Sequence, residues 1–264
     1  MRRLKYHKGS ESMITTLLFD LGGTLHDVYR TDAAGKGFAE YVLRRLHRYG
    51  IDLSATPEEL LETLSRNAEA YKQRGEKDLT ELAQPDIWND WYLRDYRIGR
   101  EKLEPIAEEL SFLYDYERVE NVRKPRLRET VETLHEMGIR MGMISNIIST
   151  SVVPHMLIEY GIDQYMECIV MSSDVGIRKP DPRIFEVALK KMGVSAEETG
   201  YVGDTISRDV IGAHNAGLGL NIRINNPRIA HRDVKYQGAD IPKPDYVIEQ
   251  LYELPEIIRK VNQQ

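Results

Sequence analysis

Hydrophobic and polar positions along this chain keep two different rhythms, and the change between them divides the sequence. Over residues 13–25 apolar side chains run almost without interruption until glycines break them, the pattern of a strand buried on both faces. From about Ala33 to Tyr116 the spacing turns helical. Phe38, Tyr41, Val42 and Leu46 share one face of a first helix, and Leu60, Leu61, Leu64 and Ala68 share one face of a second. The second helix carries its own start signal. Thr56 stands as N-cap, Pro57 at the first helical position and Glu59 where a capping box needs it. Residues 87–96 and 103–114 continue the helical run.

After Pro125 the rhythms alternate. The helix "PRLRETVETLHEMG" leads to the strand "IRMGMIS", and a helix near 152–160 leads to "CIVMSS". The helix "PRIFEVALKKMG" leads to "TGYVGD", "DVIGAHNAG" leads to "LGLNIRIN", and a strand and helix over 245–261 close the chain. Strands separated by helices predict βαβ units with right-handed crossovers and a parallel sheet. The expected architecture is α/β: a doubly wound parallel sheet built from 13–30 and 118–264, with an all-helical domain, 31–117, inserted after the first strand. Residues 1–12, "MRRLKYHKGSES", read as a disordered basic tail.

Charge and composition narrow the classes. The 264 residues hold 36 basic and 42 acidic side chains, a net charge of −6, which gives no basic footprint for nucleic acid. A single cysteine, Cys168, excludes an internal disulfide framework and a cysteine-based zinc site, and fits a reducing compartment. No stretch approaches the ~18 consecutive apolar residues of a membrane span. A cytoplasmic protein is expected, with monomer and homodimer both open.

In open α/β sheets ligands bind outside the carboxyl ends of the strands, so the residues there are the ones to weigh. The first strand runs into Asp20, followed by Leu21, Gly22, Gly23 and Thr24; the strand after Gly138 ends at Ser145 and Asn146. "GIRKPDPRIF" places Lys179 just before a helix, with Asp181 as that helix's N-cap; "YVGDTISRD" brings Asp204 and Asp209. Several carboxylates together need a counter-ion. Such an oxygen-rich set suits Mg²⁺, which keeps waters and asks for one or two carboxylates besides substrate phosphate. Lys179 adds positive charge, and Ser145 with nearby N–H groups can bind phosphate oxygens.

These four motifs, in this order, resemble those of the haloacid dehalogenase (HAD) superfamily over about residue 13 to the C-terminus, and the helical insertion resembles its cap domain. The resemblance implies a Rossmann-like core and covalent catalysis, with Asp20 as nucleophile forming an aspartyl-phosphate on a small phosphorylated metabolite. It implies that Asp20, Asp204 and the Gly22 carbonyl hold Mg²⁺, and that Asp209 holds a metal-bound water or orients Lys179. Ser145, Asn146, Lys179 and Thr24 would bind the phosphoryl group, unless Thr24 only caps the following segment.

One position departs from the pattern. Phosphatases and mutases of the superfamily usually carry a second Asp, the general acid and base, where this chain has Gly22. A general acid or base typically contributes ~10²–10⁴-fold. Three readings therefore stand: a phosphatase without the usual acid, a metal-independent 2-haloacid dehalogenase, or a degenerate member that binds a phosphorylated ligand or a protein. His26 is a nearby candidate for the missing acid, although its side chain is expected to point away. Trp88, Trp91, Tyr92 and Tyr96 read as the core of the insertion, with a substrate-stacking wall as the alternative.

Overall fold

The computed structural model describes residues 13–236 and 240–263. The tail expected over 1–12 lies outside the described residues, as do 237–239 and 264. In chain order come β1 (Thr16–Phe19), β2 (His26–Tyr29), α1 (Asp32–Arg48), α2 (Pro57–Asp78), α3 (Gln84–Ile87), α4 (Arg100–Leu103) and α5 (Ala107–Tyr116). They are followed by β3 (Glu120–Arg123), α6 (Leu127–Glu136), β4 (Arg140–Ser145), α7 (Val152–Tyr160), β5 (Met166–Met171), α8 (Ser172–Val175) and α9 (Pro182–Met192). The chain ends in β6 (Thr199–Gly203), α10 (Ile211–Asn215), β7 (Leu220–Ile224), α11 (Ala230–Asp233), β8 (Tyr246–Ile248) and α12 (Leu254–Val261).

Six strands form one sheet in the order β5-β4-β1-β6-β7-β8, and every pairing is parallel. All four residues of β1 are buried, as a central strand covered on both faces requires. Leu17 and Phe19 face α6 and α7 on one side, while Leu18 meets Ile184, Phe185 and Ala188 of α9 on the other. β1 lies between β4 and β6, which is where the strand order reverses. A doubly wound sheet opens its ligand crevice at that point.

The strand expected over 13–25 stops at Phe19. Gly23 takes a left-handed φ of +85°, and the N–H groups of Thr24 and Leu25 turn back to Leu21 O at 3.2 and 2.8 Å. Leu21 and Leu25 are apolar because they plug the core from a turn. The strands β2 and β3 form a separate two-stranded antiparallel sheet that the sequence pattern does not show. β3 reads "ENVR" and is mostly exposed, so it carries no apolar alternation.

Between β2 and β3 the chain is helical and has its own core of residues from Phe38 to Tyr114. The capping box at Thr56 and Glu59 is present in both directions. Helical spacing breaks at residues 88–92, which form a wider π-type turn, and near Pro105, which separates α4 from α5. Trp88 is buried, donating Nε1–H to Ser111 Oγ at 2.9 Å, and packs edge-on against Tyr92 and Tyr114. Arg94 and Arg97 are exposed. The aromatic cluster therefore fills the insert.

The insert docks on two loops of the sheet. Thr80 bridges Ile177, with Glu81 N–H donating to Gly176 O and Arg178 N–H to Leu79 O, both at 3.0 Å. The Glu81 carboxylate is buried and accepts from Tyr71 Oη, from Ser172 Oγ at 2.7 Å and from Arg178 Nη1. On α5, Asp115 Oδ2 accepts the N–H groups of Ile148 and Ser149 at 3.0 and 2.9 Å, while Glu108 accepts those of Thr150 and Ser151. These contacts fix the segments that follow Ser145 and precede Lys179. Among the described residues no helix is long and apolar enough to cross a membrane.

Candidate active site

Asp20 follows β1 directly, and its N–H donates to Val202 O of β6 at 2.9 Å, which anchors it at the carboxyl edge of the sheet. From neighbouring strand ends come Ser145 after β4 and Asp204 after β6. Lys179 arrives from the loop before α9, where Asp181 accepts Arg183 N–H as the helix cap. Residues remote in sequence thus meet because parallel strands end together.

Lys179 is the centre of the cluster. Its Nζ, almost fully buried, lies 2.7 Å from Asp20 Oδ1, Asp209 Oδ1 and Tyr201 Oη, and 3.1 Å from Ile144 O. Asn146 clamps the lysine's backbone. Lys179 N–H donates to Asn146 Oδ1 at 2.8 Å and Asn146 Nδ2 donates to Lys179 O at 3.0 Å. Both ends of the Asn146 side-chain amide are thereby engaged by the Lys179 backbone. Tyr201 was not anticipated; in "YVGD" it looks like one more buried strand residue.

The carboxylates of Asp20, Asp204 and Asp209 are buried with oxygens within 4.8 Å of one another, yet their surroundings differ. Asp209 accepts from Lys179 and Tyr201 on Oδ1 and from the N–H and hydroxyl of Thr205 on Oδ2. Burial pushes its pKa up, but Lys179, Arg208 and these hydrogen bonds outweigh burial and hold it below the usual range. Of its two expected roles, orienting Lys179 is the one its hydrogen bonds display. Asp20 is raised, mainly by burial, with Lys179 pulling the other way and Asp209 adding to the rise. Asp204 is pushed up to about 7 by burial and by the charges of Asp20 and Asp209.

Asp204 Oδ2 accepts from Asn226 Nδ2 at 2.7 Å, while Oδ1 is buried with no hydrogen-bond partner. A buried carboxylate oxygen left bare beside two further carboxylates fits a divalent cation, which would favour their charged forms. Asp20 and Asp204 would offer carboxylate oxygens to it, while both oxygens of Asp209 already accept hydrogen bonds. The Thr24 hydroxyl is likewise buried without a partner. The following segment is β2, so Thr24 caps no helix. Ser145 is buried at the end of β4, and its hydroxyl has no partner among the described residues.

The vacancy at Gly22 is real space. A Cβ there would lie 3.6 Å from Val28 Cγ2 and 3.7 Å from His26 Nε2, ordinary contacts. His26, expected to point away, turns its Nε2 toward this position. Its Nδ1 lies 3.1 Å from Tyr160 Oη, and burial, opposed in part by Asp27, lowers its pKa to about 4. At neutral pH it is an uncharged ring with little tendency to donate a proton. Arg30, just after β2, is exposed.

Comparison with known proteins agrees with this geometry. A glyceraldehyde 3-phosphate phosphatase of Methanopyrus kandleri is 27% identical over 251 residues, spanning 94% of this chain and 99% of that protein. A 2-haloacid dehalogenase structure from Pseudomonas syringae pv. Tomato DC3000 superposes with a TM-score of 0.61 at 26% identity, covering 94% of this chain and 99% of that one. A HAD phosphatase structure from Thermococcus onnurineus gives a TM-score of 0.56 at 23% identity, covering 93% and 98%. The haloacid dehalogenase-like hydrolase model matches residues 14–217, and with the motifs assembled at one sheet edge the chain belongs to that hydrolase family.

Proposed function

We propose that this chain is a Mg²⁺-dependent phosphohydrolase of small phosphorylated metabolites, working through an aspartyl-phosphate on Asp20 without the usual aspartic general acid. The observation that carries the reading is the bare Asp204 Oδ1 beside a lysine-held Asp20. Lys179 fixes Asp20 through Oδ1, and Oδ2 accepts no hydrogen bond from the described residues. One Asp20 oxygen attacks phosphorus, the bond from phosphorus to the leaving oxygen breaks, and that oxygen departs with the electron pair. Water then attacks the phosphorus of the acyl phosphate, regenerating the Asp20 carboxylate and releasing phosphate.

A bound Mg²⁺ supplies Lewis-acid stabilisation of the phosphoryl oxygens and makes the carboxylate cluster tolerable. Lys179 and the free Ser145 hydroxyl add donors for charge developing on the same oxygens. With Gly22 in place of the acid, the departing oxygen and the incoming water both lack a protein proton relay. Good leaving groups, aryl and acyl phosphates, are therefore favoured over alkyl phosphates. The phosphatase named above makes glyceraldehyde 3-phosphate the first metabolite to try, against a panel of sugar phosphates.

The test is phosphate release from an aryl phosphate with and without Mg²⁺, in wild type and Asp20→Asn. Metal-dependent turnover that falls roughly 10³-fold or more in the variant is expected. Metal-independent halide release from 2-haloacids, with no phosphate release, would replace this reading by the dehalogenase one.

A further inference from the structure

Asn226 lies in the loop after β7, outside the four motifs, and its side chain reaches Asp204, whose other oxygen is buried and bare. We propose that Asn226 is a positioning residue for the divalent-cation site: its amide holds Asp204 Oδ2 so that Oδ1 stays turned toward the cation. This rests on the metal reading given above.

The chain of contacts is continuous. Asn226 is the N-cap of a short 3₁₀ turn, with Oδ1 accepting Arg228 N–H at 3.2 Å. That bond decides which end of the amide faces Asp204, because the oxygen is engaged and only Nδ2 remains to point inward. Nδ2 then lies 2.7 Å from Asp204 Oδ2. Arg228 is itself held, with Nη1 on Asp27 Oδ1 at 3.0 Å and its guanidinium 4.0 Å from the centre of the Tyr29 ring. The loop is thereby tied to β2, and the amide has a fixed base.

Gly23 completes the cradle. A Cβ at that position would fall 1.9 Å from Asp204 Oδ2 and 2.8 Å from Asn226 Nδ2. The carboxylate and amide thus meet in space that only glycine leaves open. The choice of an amide also has a chemical reason. A lysine or arginine at 226 would cancel the charge the cation needs, whereas a neutral donor orients Asp204 and leaves its charge in place. Lys179 already pairs with Asp20 and Asp209. Charge compensation and orientation are assigned to different partners, as outer-shell groups of metal ligands generally are.

The experiment titrates Mg²⁺ into the full-length chain by calorimetry, without substrate, for wild type, Asn226→Ala and Asn226→Ser. Serine can still accept Arg228 N–H as an N-cap, but its hydroxyl is too short to reach Asp204. Expected is a Kd raised roughly 10- to 100-fold in both variants, with the melting temperature of Asn226→Ser in EDTA close to wild type. Unchanged Mg²⁺ affinity in Asn226→Ser would overturn the proposal while leaving the metal reading intact. A wild type that binds no divalent cation would overturn both.

Discussion

Among the described residues, acidic side chains cluster where the helical insert docks and again at the edge of the sheet. At the docking seam each carboxylate meets its donors. Glu81 accepts from Tyr71, Ser172 and Arg178, and Glu108 and Asp115 accept the N–H groups of residues 148–151. At the sheet edge Lys179 pairs with two of three clustered carboxylates, Asp20 and Asp209, and Asp204 Oδ1 bonds nothing. Glu81 is as buried as Asp20, so burial alone does not separate structure from function. Satisfaction does: a completed set of hydrogen bonds holds a shape, and an incomplete one awaits a ligand.

The comparison can be broken most forcefully at the seam. Glu81→Ala leaves the Arg178 guanidinium without its carboxylate, and removing one partner of a buried pair costs about 3–5 kcal/mol. Urea denaturation should show a loss of that order, with a smaller one for Glu81→Gln. A change below about 1 kcal/mol would mean that the seam is not a completed network. At the sheet edge, Gly22→Asp introduces the missing acid at a position where a Cβ meets only ordinary contacts. The aryl-to-alkyl preference should narrow roughly 10²-fold. Equal wild-type rates on both phosphate classes would show that another residue already donates the proton.

Metal should act on one cluster only. Mg²⁺ at about 100 times its Kd is expected to stabilise the protein by about 2.7 kcal/mol, and the shift should vanish in Asp204→Asn. A thermal shift that survives in that variant would move the cation elsewhere. The mildest effect concerns Asp115, whose pKa burial raises to about 7 against the backbone N–H bonds of Ser149 and Ile148 and the charge of Arg118, with Glu81 adding to the rise. Between pH ~4 and ~7 the folded chain holds a proton there that the unfolded chain has released. Its contribution to stability is complete below about pH 4 and is lost as pH rises toward 7. Asp115→Asn keeps an acceptor for the two N–H groups, so its stability curve should be flatter over that range. An unchanged slope would assign the pH dependence to other groups.

Much of this was legible in the sequence because it is local. The apolar runs gave the parallel strands, Thr56 and Glu59 announced a helix start, and the residues at strand ends needed only the rule that parallel strands finish on one side. What escaped reading is joined across the chain. Glu81 looks like any acid in "DLTELA" until Arg178 and Ser172 arrive from the sheet. Asn226 in "INNPR" reads as turn chemistry, which it also performs. Tyr201 is a strand residue whose hydroxyl matters only once Lys179 is beside it. The inward turn of His26 depends on Tyr160, 134 residues away. The pairing of β2 with β3 escaped because the strands are short, mostly polar and separated by the whole insert.

The most direct measurement is peptide mass spectrometry of the full-length chain, acid-quenched milliseconds to seconds after mixing with an aryl phosphate and Mg²⁺. With Asp20 as nucleophile and no relay at Gly22 to activate water, the phosphorylated enzyme should accumulate during turnover. The phosphoryl group should be found on the peptide containing Asp20 and should be absent in Asp20→Asn. Steady phosphate release with no modified peptide at any time, undiminished in Asp20→Asn, would contradict the covalent route.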